Sequence, residues 1–190
     1  MPKDGIGASV KRREDLRFLT GTGRYTDDIN LRGQAHVHFL RADVAHATLN
    51  AVDTSAAAEM PGVLRIFTAK DFEGVGGLPC GWQVTDKHGQ PMQEPGHPVL
   101  AQGKVRHVGE AIAAVVAETL EQAQDAAEAI ELDIEELPAV IDMKGALAEG
   151  AVKVHDDLTS NLCYDWGFVE ENKGAVDQAF ANAAHVTTLE

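Results

Sequence analysis

The sequence predicts an α/β fold in which strands pack against a buried helix, and residues 112–135 carry most of the evidence. Residues 112–117 (IAAVVA) form an unbroken apolar run, which is typical of a strand buried on both faces. Thr119 and Gln122 have the spacing of a capping box, so a helix should begin there. From Ile130 the period changes to two, which predicts a strand that Pro138 stops. The apolar residues of the helix recur at helical spacing: Leu120, Ala123, Ala127 and Ile130.

Shorter elements are predicted before this unit. Residues 1–15 show no periodicity, and we interpret them as an N-terminal arm. Residues 56–58 favour a short helix, and residues 68–72 favour one more helical turn. Alternation predicts strands at residues 35–41, 47–53 and 63–68. In the third of these strands, Leu64 and Ile66 should share one face, and Val63 and Phe67 should share the other.

Residues 74–98 differ in composition from the rest of the chain. Ten of these 25 residues are Gly or Pro, and no period of 2 or 3.6 survives, which predicts a long loop. Loops of this length in compact domains are usually binding surfaces or disordered segments. Because an exposed indole in a disordered loop is unfavourable, we expect Trp82 to be packed, either on this chain or on a partner. Trp82 is therefore the candidate partner contact.

Residues 139–190 show a change of pattern after Pro138. Asp142 can cap a short helix at residues 143–149, and residues 152–161 are interpreted as an extended linker. Asn172 can cap a second helix with apolar residues at helical spacing, namely Val176, Ala179, Phe180 and Ala183. Strands are predicted on either side of this helix, at residues 162–169 and 185–189. The pattern indicates a second unit that begins in this chain and does not finish within it.

The charge and composition exclude several kinds of partner. The net charge of −14 argues against nucleic acids and anionic membranes, because both bind basic surfaces. No run of 18 apolar residues exists and the N-terminus has no apolar signal, so we expect a cytoplasmic protein with no membrane insertion. Residues 1–42 nevertheless carry a net charge of +3. This asymmetry leaves open a basic tail on its own acidic domain or an arm that docks on a separate subunit.

No catalytic, cofactor-binding or metal-ligating residue can be assigned from the sequence. It contains no Gly-x-Ser-x-Gly elbow, no His-Glu-x-x-His helix and no Walker loop. Three histidines, His36, His38 and His46, suggest a metal site. His36 and His38 share one face of a predicted strand and could reach one zinc ion, but no third ligand is identifiable nearby. We therefore interpret these histidines as half-buried or surface residues. Cys80 and Cys163 lie far apart in the sequence, and we interpret both as ordinary free thiols.

Four ordered blocks of the sequence resemble one enzyme family. They are KRREDLRFLTGTGRYTDDI at residues 11–29, LRADVAHATLNAVDTSAAAEMPGV at 40–63, PVLAQGKVR at 98–106, and VRHVGEAIAAVVAET with AQDAAEAIELDIEELPAV between 105 and 140. In order and spacing they resemble the N-terminal part of the molybdopterin-binding large subunits of the xanthine dehydrogenase, aldehyde oxidase and carbon monoxide dehydrogenase family. The resemblance covers nearly the whole chain.

The resemblance implies a fold and a domain order. Residues 16–138 would form the family's α/β hammerhead domain, and residues 139–190 would be a linker and the beginning of the first molybdopterin-binding domain. The family's cofactor-binding loops and its glutamate base lie downstream of the resembled segment. No catalytic, cofactor-binding or metal residue is therefore carried over to this sequence.

The resemblance also implies a function for the complete enzyme. It would oxidise or hydroxylate a small substrate (an aldehyde, a purine or N-heterocycle, or carbon monoxide) at molybdenum held by molybdopterin, with water as the oxygen source. Electrons would pass through 2Fe-2S clusters to FAD. The implied partners are the rest of the large subunit, an iron-sulfur small subunit and an FAD medium subunit.

Two hypotheses from different classes follow for this chain. In the favoured one it is a structural portion of a molybdenum hydroxylase, inactive alone, that contributes scaffold and subunit contacts. The alternative is a freestanding, non-catalytic binding module with the hammerhead fold.

Overall fold

A computed structural model describes residues 5–167 and 172–189 of the chain. The residues before His36 and those from His36 onward form two units. The first unit contains α1 (Asp15–Leu19), which begins at the end of the predicted arm, and a short 3-10 turn (Thr26–Asp28). In this unit the ring of Phe18 stacks on that of Tyr25, with centroids 5.5 Å apart.

The second unit contains two three-stranded antiparallel sheets. Sheet A has the strand order β1-β5-β3 and sheet B the order β4-β2-β6. The strands are β1 (His36–Arg41), β2 (Ala47–Asp53), β3 (Val63–Phe67), β4 (Lys104–Val105), β5 (Ala111–Ala117) and β6 (Glu131–Glu136). The helices are α2 (Ser55–Ala58), α3 (Leu120–Glu128), α4 (Met143–Ala146) and α5 (Lys173–Ala181), with a 3-10 turn at Ala69–Phe72. This mixed architecture confirms the predicted α/β class. In the part of the chain that the structure describes, no helix has both the length and the apolarity needed to cross a bilayer.

β5 is the central strand of sheet A, as its apolar run predicts. Ala113, Val115 and Ala117 are fully buried, and they form one core cluster with the alanines of α3. The predicted capping box at the start of α3 is confirmed. Thr119 Oγ1 accepts a hydrogen bond from Gln122 N at 3.2 Å, and Gln122 Oε1 accepts one from Thr119 N at 3.1 Å.

The buried stripe of α3 differs from the predicted one at two positions, because it includes Ala126 and excludes Leu120. Ala123, Ala126 and Ala127 are buried, whereas Leu120 is 42% exposed. At 100° per residue, Ala123 lies at the centre of the buried stripe. Ala126 lies about 60° to one side of Ala123, and Leu120 lies about 60° to the other side, on the first turn. The prediction that Leu120 packs on the sheet is therefore wrong.

The strand, helix and strand that follow one another in sequence do not share a sheet. β5 belongs to sheet A, whereas β6 pairs antiparallel with β2 in sheet B. Within β6, Leu132 and Ile134 are half-buried and Glu131 and Asp133 are exposed, which confirms the predicted alternation. Val52 and Leu132 pack against the buried residues of both sheets, so the two core clusters adjoin.

A β-bulge in β3 overturns the predicted facing of its side chains. The register with β5 shifts between Val63 and Arg65, and Leu64 is 57% exposed. Val63 and Ile66 consequently pack against the α3 side of sheet A, while Arg65 and Phe67 lie on the other side. An inserted residue reverses the alternation that a regular strand would keep.

The residues after β6 depart most from the predicted pattern. Asp142 Oδ2 caps α4 by accepting from Gly145 N at 2.5 Å, as predicted, but the helix ends after four residues. The predicted strands are wrong over residues 162–167 and 185–189, which belong to no sheet, and residues 168 and 169 lie outside the described part. Strand identity requires a continuous ladder with a partner, which sequence alternation alone does not supply. α5 forms where a helix was predicted, with no buried residue.

Candidate functional site

The loop at residues 74–98 is irregular, as predicted, but its own side chains fix its conformation. Glu94 Oε1 accepts a hydrogen bond from Cys80 N at 3.0 Å, across 14 residues. Asp86 Oδ1 accepts one from Gln90 N at 2.8 Å, and this bond is the main cause that lowers the pKa of the Asp86 carboxyl. The loop is therefore held by these side-chain hydrogen bonds together with one isolated antiparallel β-bridge, between Thr85 and Pro91.

Trp82 lies at the surface of this loop. Its exposed fraction is 80%, so the expectation that it packs is not met on this chain. The thiol of Cys80 donates to Trp82 O at 3.1 Å, which holds the backbone while the indole projects outward. Val75 and Leu78 are also exposed on the loop, at 60% and 52%. Exposed apolar side chains on a fixed backbone are typical of contact surfaces.

The segment at residues 162–166 lies along this loop. Gln93 N donates to Cys163 O at 2.9 Å, and the Cys163 thiol donates to Gln93 O at 3.2 Å. Lys87 N donates to Asp165 O at 2.9 Å, and Lys87 Nζ lies 2.6 Å from Asp165 Oδ2. Residues that the sequence assigned to a separate second unit are thus fastened to the loop.

Residues 152–161 were predicted to be an extended linker, and this prediction is wrong. The side-chain amide of Asn161 folds the segment back on itself. Asn161 Nδ2 donates to Ala146 O at 3.0 Å and to Val152 O at 2.8 Å, and Asn161 Oδ1 accepts from Val154 N at 2.9 Å. One side chain thereby supplies two donors and an acceptor to backbone groups that have no regular ladder.

Charged side chains connect the same segment to sheet B. Lys104 Nζ in β4 lies 2.6 Å from Asp156 Oδ2, and this hydrogen bond is the main cause that lowers the pKa of Asp156.

His155 lines a cavity of about 200 Å³ with Arg106 and Glu110. Burial, followed by the charge of Arg106, lowers the pKa of His155, because both disfavour the charged ring. Glu110 is buried and accepts from Arg106 N at 2.5 Å, which makes it a structural carboxylate.

The histidines considered as metal ligands have structural positions. His36 and His38 are half-buried on one face of β1, as predicted. His46 is buried, and its Nδ1 lies 2.8 Å from Pro138 O. Among residues 5–167 and 172–189, no three His, Cys, Asp or Glu side chains are placed to hold a metal ion. Both cysteines are exposed thiols.

These features define an α/β domain made of two small antiparallel sheets, with an ordered apolar loop suited to contacts. Residues 20–138 match a family model described as "Aldehyde oxidase and xanthine dehydrogenase, a/b hammerhead domain". The chain belongs to this family, as the four sequence blocks indicated.

Curated relatives and solved structures extend the similarity beyond the hammerhead domain. The chain is 38% identical over 183 residues to the nicotine 6-hydroxylase large subunit of Paenarthrobacter nicotinovorans, covering 96% of this chain and 21% of the relative. It is 31% identical to the xanthine dehydrogenase molybdenum-binding subunit of Escherichia coli O157:H7, covering 87% and 22%. The crystal structure of quinoline 2-oxidoreductase from Pseudomonas putida 86 superposes with a TM-score of 0.68 at 40% identity, covering 83% and 20%. The chain thus spans about a fifth of the length of the curated relatives it matches.

Proposed function

We propose that this chain contributes the hammerhead domain and adjoining residues to the large subunit of a molybdenum hydroxylase. The main support for this proposal is the similarity to the nicotine 6-hydroxylase large subunit, which covers 96% of the chain. A further relative is named a molybdenum-binding subunit, which supports molybdenum as the metal of the complete enzyme. That enzyme would oxidise or hydroxylate a small substrate, such as an aldehyde, a purine or N-heterocycle, or carbon monoxide, with water as the oxygen source.

The proposed domain order follows the family match. Residues 1–15 form the arm, residues 16–138 the hammerhead domain, and residues 139–190 a linker and the beginning of the first molybdopterin-binding domain. The match to the hammerhead model at residues 20–138 supports the second boundary. The hydrogen bond between His46 and Pro138 O also supports it, because it ties the last hammerhead residue to the start of β2.

The cofactors are proposed to lie outside this chain. Molybdopterin and molybdenum would be held by the rest of the large subunit, with 2Fe-2S clusters in an iron-sulfur small subunit and FAD in a medium subunit. The donor set of this chain does not fit a cluster, because 2Fe-2S centres take four Cys or two Cys and two His, and no three His, Cys, Asp or Glu side chains within residues 5–167 and 172–189 are placed to share a metal. The thiols of Cys80 and Cys163 donate to different backbone carbonyls. The role proposed for this chain is therefore scaffold and subunit contact, with no activity of its own.

Trp82 is proposed to be one of those subunit contacts. Its indole is 80% exposed on a loop whose backbone is fixed by Glu94, so little conformational entropy would be lost on binding. Large aromatic side chains are also enriched at the centres of protein interfaces.

A chromosomal affinity tag at the N-terminus tests the proposed function. We expect the tag to recover a polypeptide much larger than 20.3 kDa, together with two smaller subunits, molybdenum, iron and FAD. Mass spectrometry and elemental analysis provide both readouts. Recovery of a 20.3 kDa polypeptide without molybdenum would instead favour the freestanding binding module.

A further inference from the structure

Sheet A has one face covered by α3 and an opposite face whose side chains are exposed or half-buried, except for Ala114 in the central strand, which is 9% exposed. The residues of this face form two rows across the three strands. In one row, Ala114 of β5 lies between Phe39 of β1 and Phe67 of β3. In the next row, Val116 lies between Val37 and Arg65. Neighbouring strands lie about 4.8 Å apart, so the two phenylalanines stand about 10 Å apart across an alanine methyl. We call this surface the open face: Val37, Phe39, Arg65, Phe67, Ala114 and Val116.

The open face is apolar although it is exposed. On the α3 side, Ala113, Val115 and Ala117 are completely buried, whereas Val37 and Phe39 on the open face are 48% and 43% exposed. The chain contains only six phenylalanines in 190 residues, and two of them lie here. Adjoining exposed aromatic and aliphatic side chains on one sheet face mark a surface that another protein surface covers.

Two arginines lie over the phenylalanine rings of the open face. The guanidinium carbon of Arg41 lies 5.5 Å from the Phe39 ring centroid, and that of Arg65 lies 5.3 Å from the Phe67 centroid. Arg41 is fixed there because Nη1 donates to Gly109 O at 2.8 Å. Arg65 is already paired with an aspartate, but no carboxylate within residues 5–167 and 172–189 pairs with Arg41. In a chain with a net charge of −14, Arg41 is thus a fixed cation beside an apolar surface.

We propose that the open face binds an apolar surface that bears a carboxylate and belongs to the rest of the same large subunit. The carboxylate pairs with Arg41, and an apolar side chain packs over Ala114 between the two phenylalanines. Arginine suits this role, because its guanidinium can stack on a ring and bind a carboxylate at the same time.

The choice of occupant rests on the proposed function. The chain spans about a fifth of its relatives, so the remaining four fifths of such a subunit would be tethered to it at high effective concentration. A second copy of the chain is a poorer occupant, since each copy carries a net charge of −14 and the copies repel one another.

Arginine-selective modification with phenylglyoxal, read by peptide mass spectrometry, tests this proposal. The isolated 190-residue chain is compared with the molybdenum-containing complex recovered by the chromosomal tag, before and after the smaller subunits are removed. We expect Arg41 to react in the isolated chain and to be protected about tenfold or more in the complex, as for a desolvated ion pair. Protection should persist when the smaller subunits are removed. The denatured complex gives the rate for an unprotected guanidinium.

Each other outcome overturns the proposal in a recognisable way. Equal reactivity of Arg41 in a molybdenum-loaded complex shows that the open face is uncovered, while the proposed function stands. If Arg41 loses its protection when the smaller subunits are removed, the open face is covered by one of those subunits. If Arg41 becomes protected in the isolated chain at high concentration, the open face is covered by a second copy of the chain. Recovery of a 20.3 kDa polypeptide without molybdenum removes both the occupant and the proposed function.

A charge reversal provides an independent measurement. Arg41→Glu should lower the yield of molybdenum-containing complex about tenfold or more, because a like charge would face the partner carboxylate. Arg41→Lys, which keeps the charge but loses the stacking of the guanidinium on Phe39, should lower the yield much less than Arg41→Glu does. The side chain of Arg41 is exposed, so the Tm of the isolated chain should be similar for both variants, which separates binding from folding. An unchanged yield with Arg41→Glu contradicts the proposal.

Discussion

Asn161 makes three hydrogen bonds that no periodic pattern in the sequence indicates. Its partners Ala146, Val152 and Val154 lie 7 to 15 positions away in the sequence. The pair between Lys104 and Asp156 spans 52 positions. Such contacts depend on how the chain returns on itself, whereas sequence patterns report spacing within one element. Residues 152–161 were therefore interpreted as a linker, although polar side chains fold them.

Trp82 allows a test at the scale of one residue. Trp82→Ala should reduce co-purification of the smaller subunits, because an interface aromatic contributes about 2 kcal/mol or more to binding. The Tm of the isolated chain should change little, since the indole is 80% exposed and makes few packing contacts. The measurements are iron and FAD per molybdenum in the tagged complex, and calorimetry of the isolated chain.

Ile141→Ala is the matched control for Trp82→Ala. Ile141 is another exposed apolar side chain, with 92% of its surface accessible, and it lies outside the loop. Its truncation should leave subunit co-purification unchanged. A large fall in Tm on Trp82→Ala would mean that the indole packs on its own chain, and unchanged co-purification would remove Trp82 from the interface.

At the scale of elements, β5 and α3 have the strongest local signals and the most complete burial. The apolar run of β5 and the capping box of α3 agree with one another, and agreement among local signals favours a single fold. The exception is β3, where one inserted residue at Leu64 changes which side chains face α3. A bulge is selected by the twist and pairing of neighbouring strands, so alternation alone wrongly places Val63 on the face opposite Ile66, while the placement of Phe67 opposite Ile66 is correct.

The capping box of α3 yields a prediction about stability. Thr119→Ala should lower the free energy of unfolding by about 1 kcal/mol, because Gln122 N loses the hydroxyl that accepts its hydrogen bond. Thr119→Ser keeps the oxygen and should lose much less. Urea unfolding of the isolated chain, with an unchanged m-value, is the measurement. Equal losses in the two variants would show that the methyl group of Thr119, and not the cap, stabilises the helix.

At the scale of the whole molecule, burial is concentrated in the two adjoining sheets. The two core clusters contain residues between Ala42 and Ile130, and they share contacts through Val52 and Leu132. α5 has no buried residue, and its apolar side chains Val176 and Phe180 are 49% and 61% exposed. Local stability follows buried contacts, so it should differ strongly between these regions.

Amide exchange of the isolated chain tests this difference. Protection factors in α5 should be at least about a hundredfold lower than those in β5 and α3, because α5 can open without disrupting either core. Exchange measured at one pH by mass spectrometry or NMR, and corrected for intrinsic rates, gives the comparison. Similar protection in the two regions of a monomer would mean that α5 is as stable as the sheets, contrary to its exposure.

The sequence by itself determined the α/β class, β5, α3 with its cap, the alternation of β6 and the irregular loop at residues 74–98. These features depend on hydrophobic period, capping residues and Gly and Pro content, which are properties of neighbouring residues. The ordered sequence blocks also determined the family, since four blocks in the right spacing are far more specific than one.

Only the tertiary structure decided the division of β5 and β6 between two sheets and the bulge that turns Val63 toward α3. It also decided the outward position of Trp82 and the folding of residues 152–161 by Asn161. Each depends on which distant segments meet. Ala126 shows the same limit within a helix, because its burial depends on where sheet A meets α3 and not on the apolar spacing alone. Local periodicity can predict which side chains of a helix or strand point toward the core, but non-local packing determines which residues they contact there.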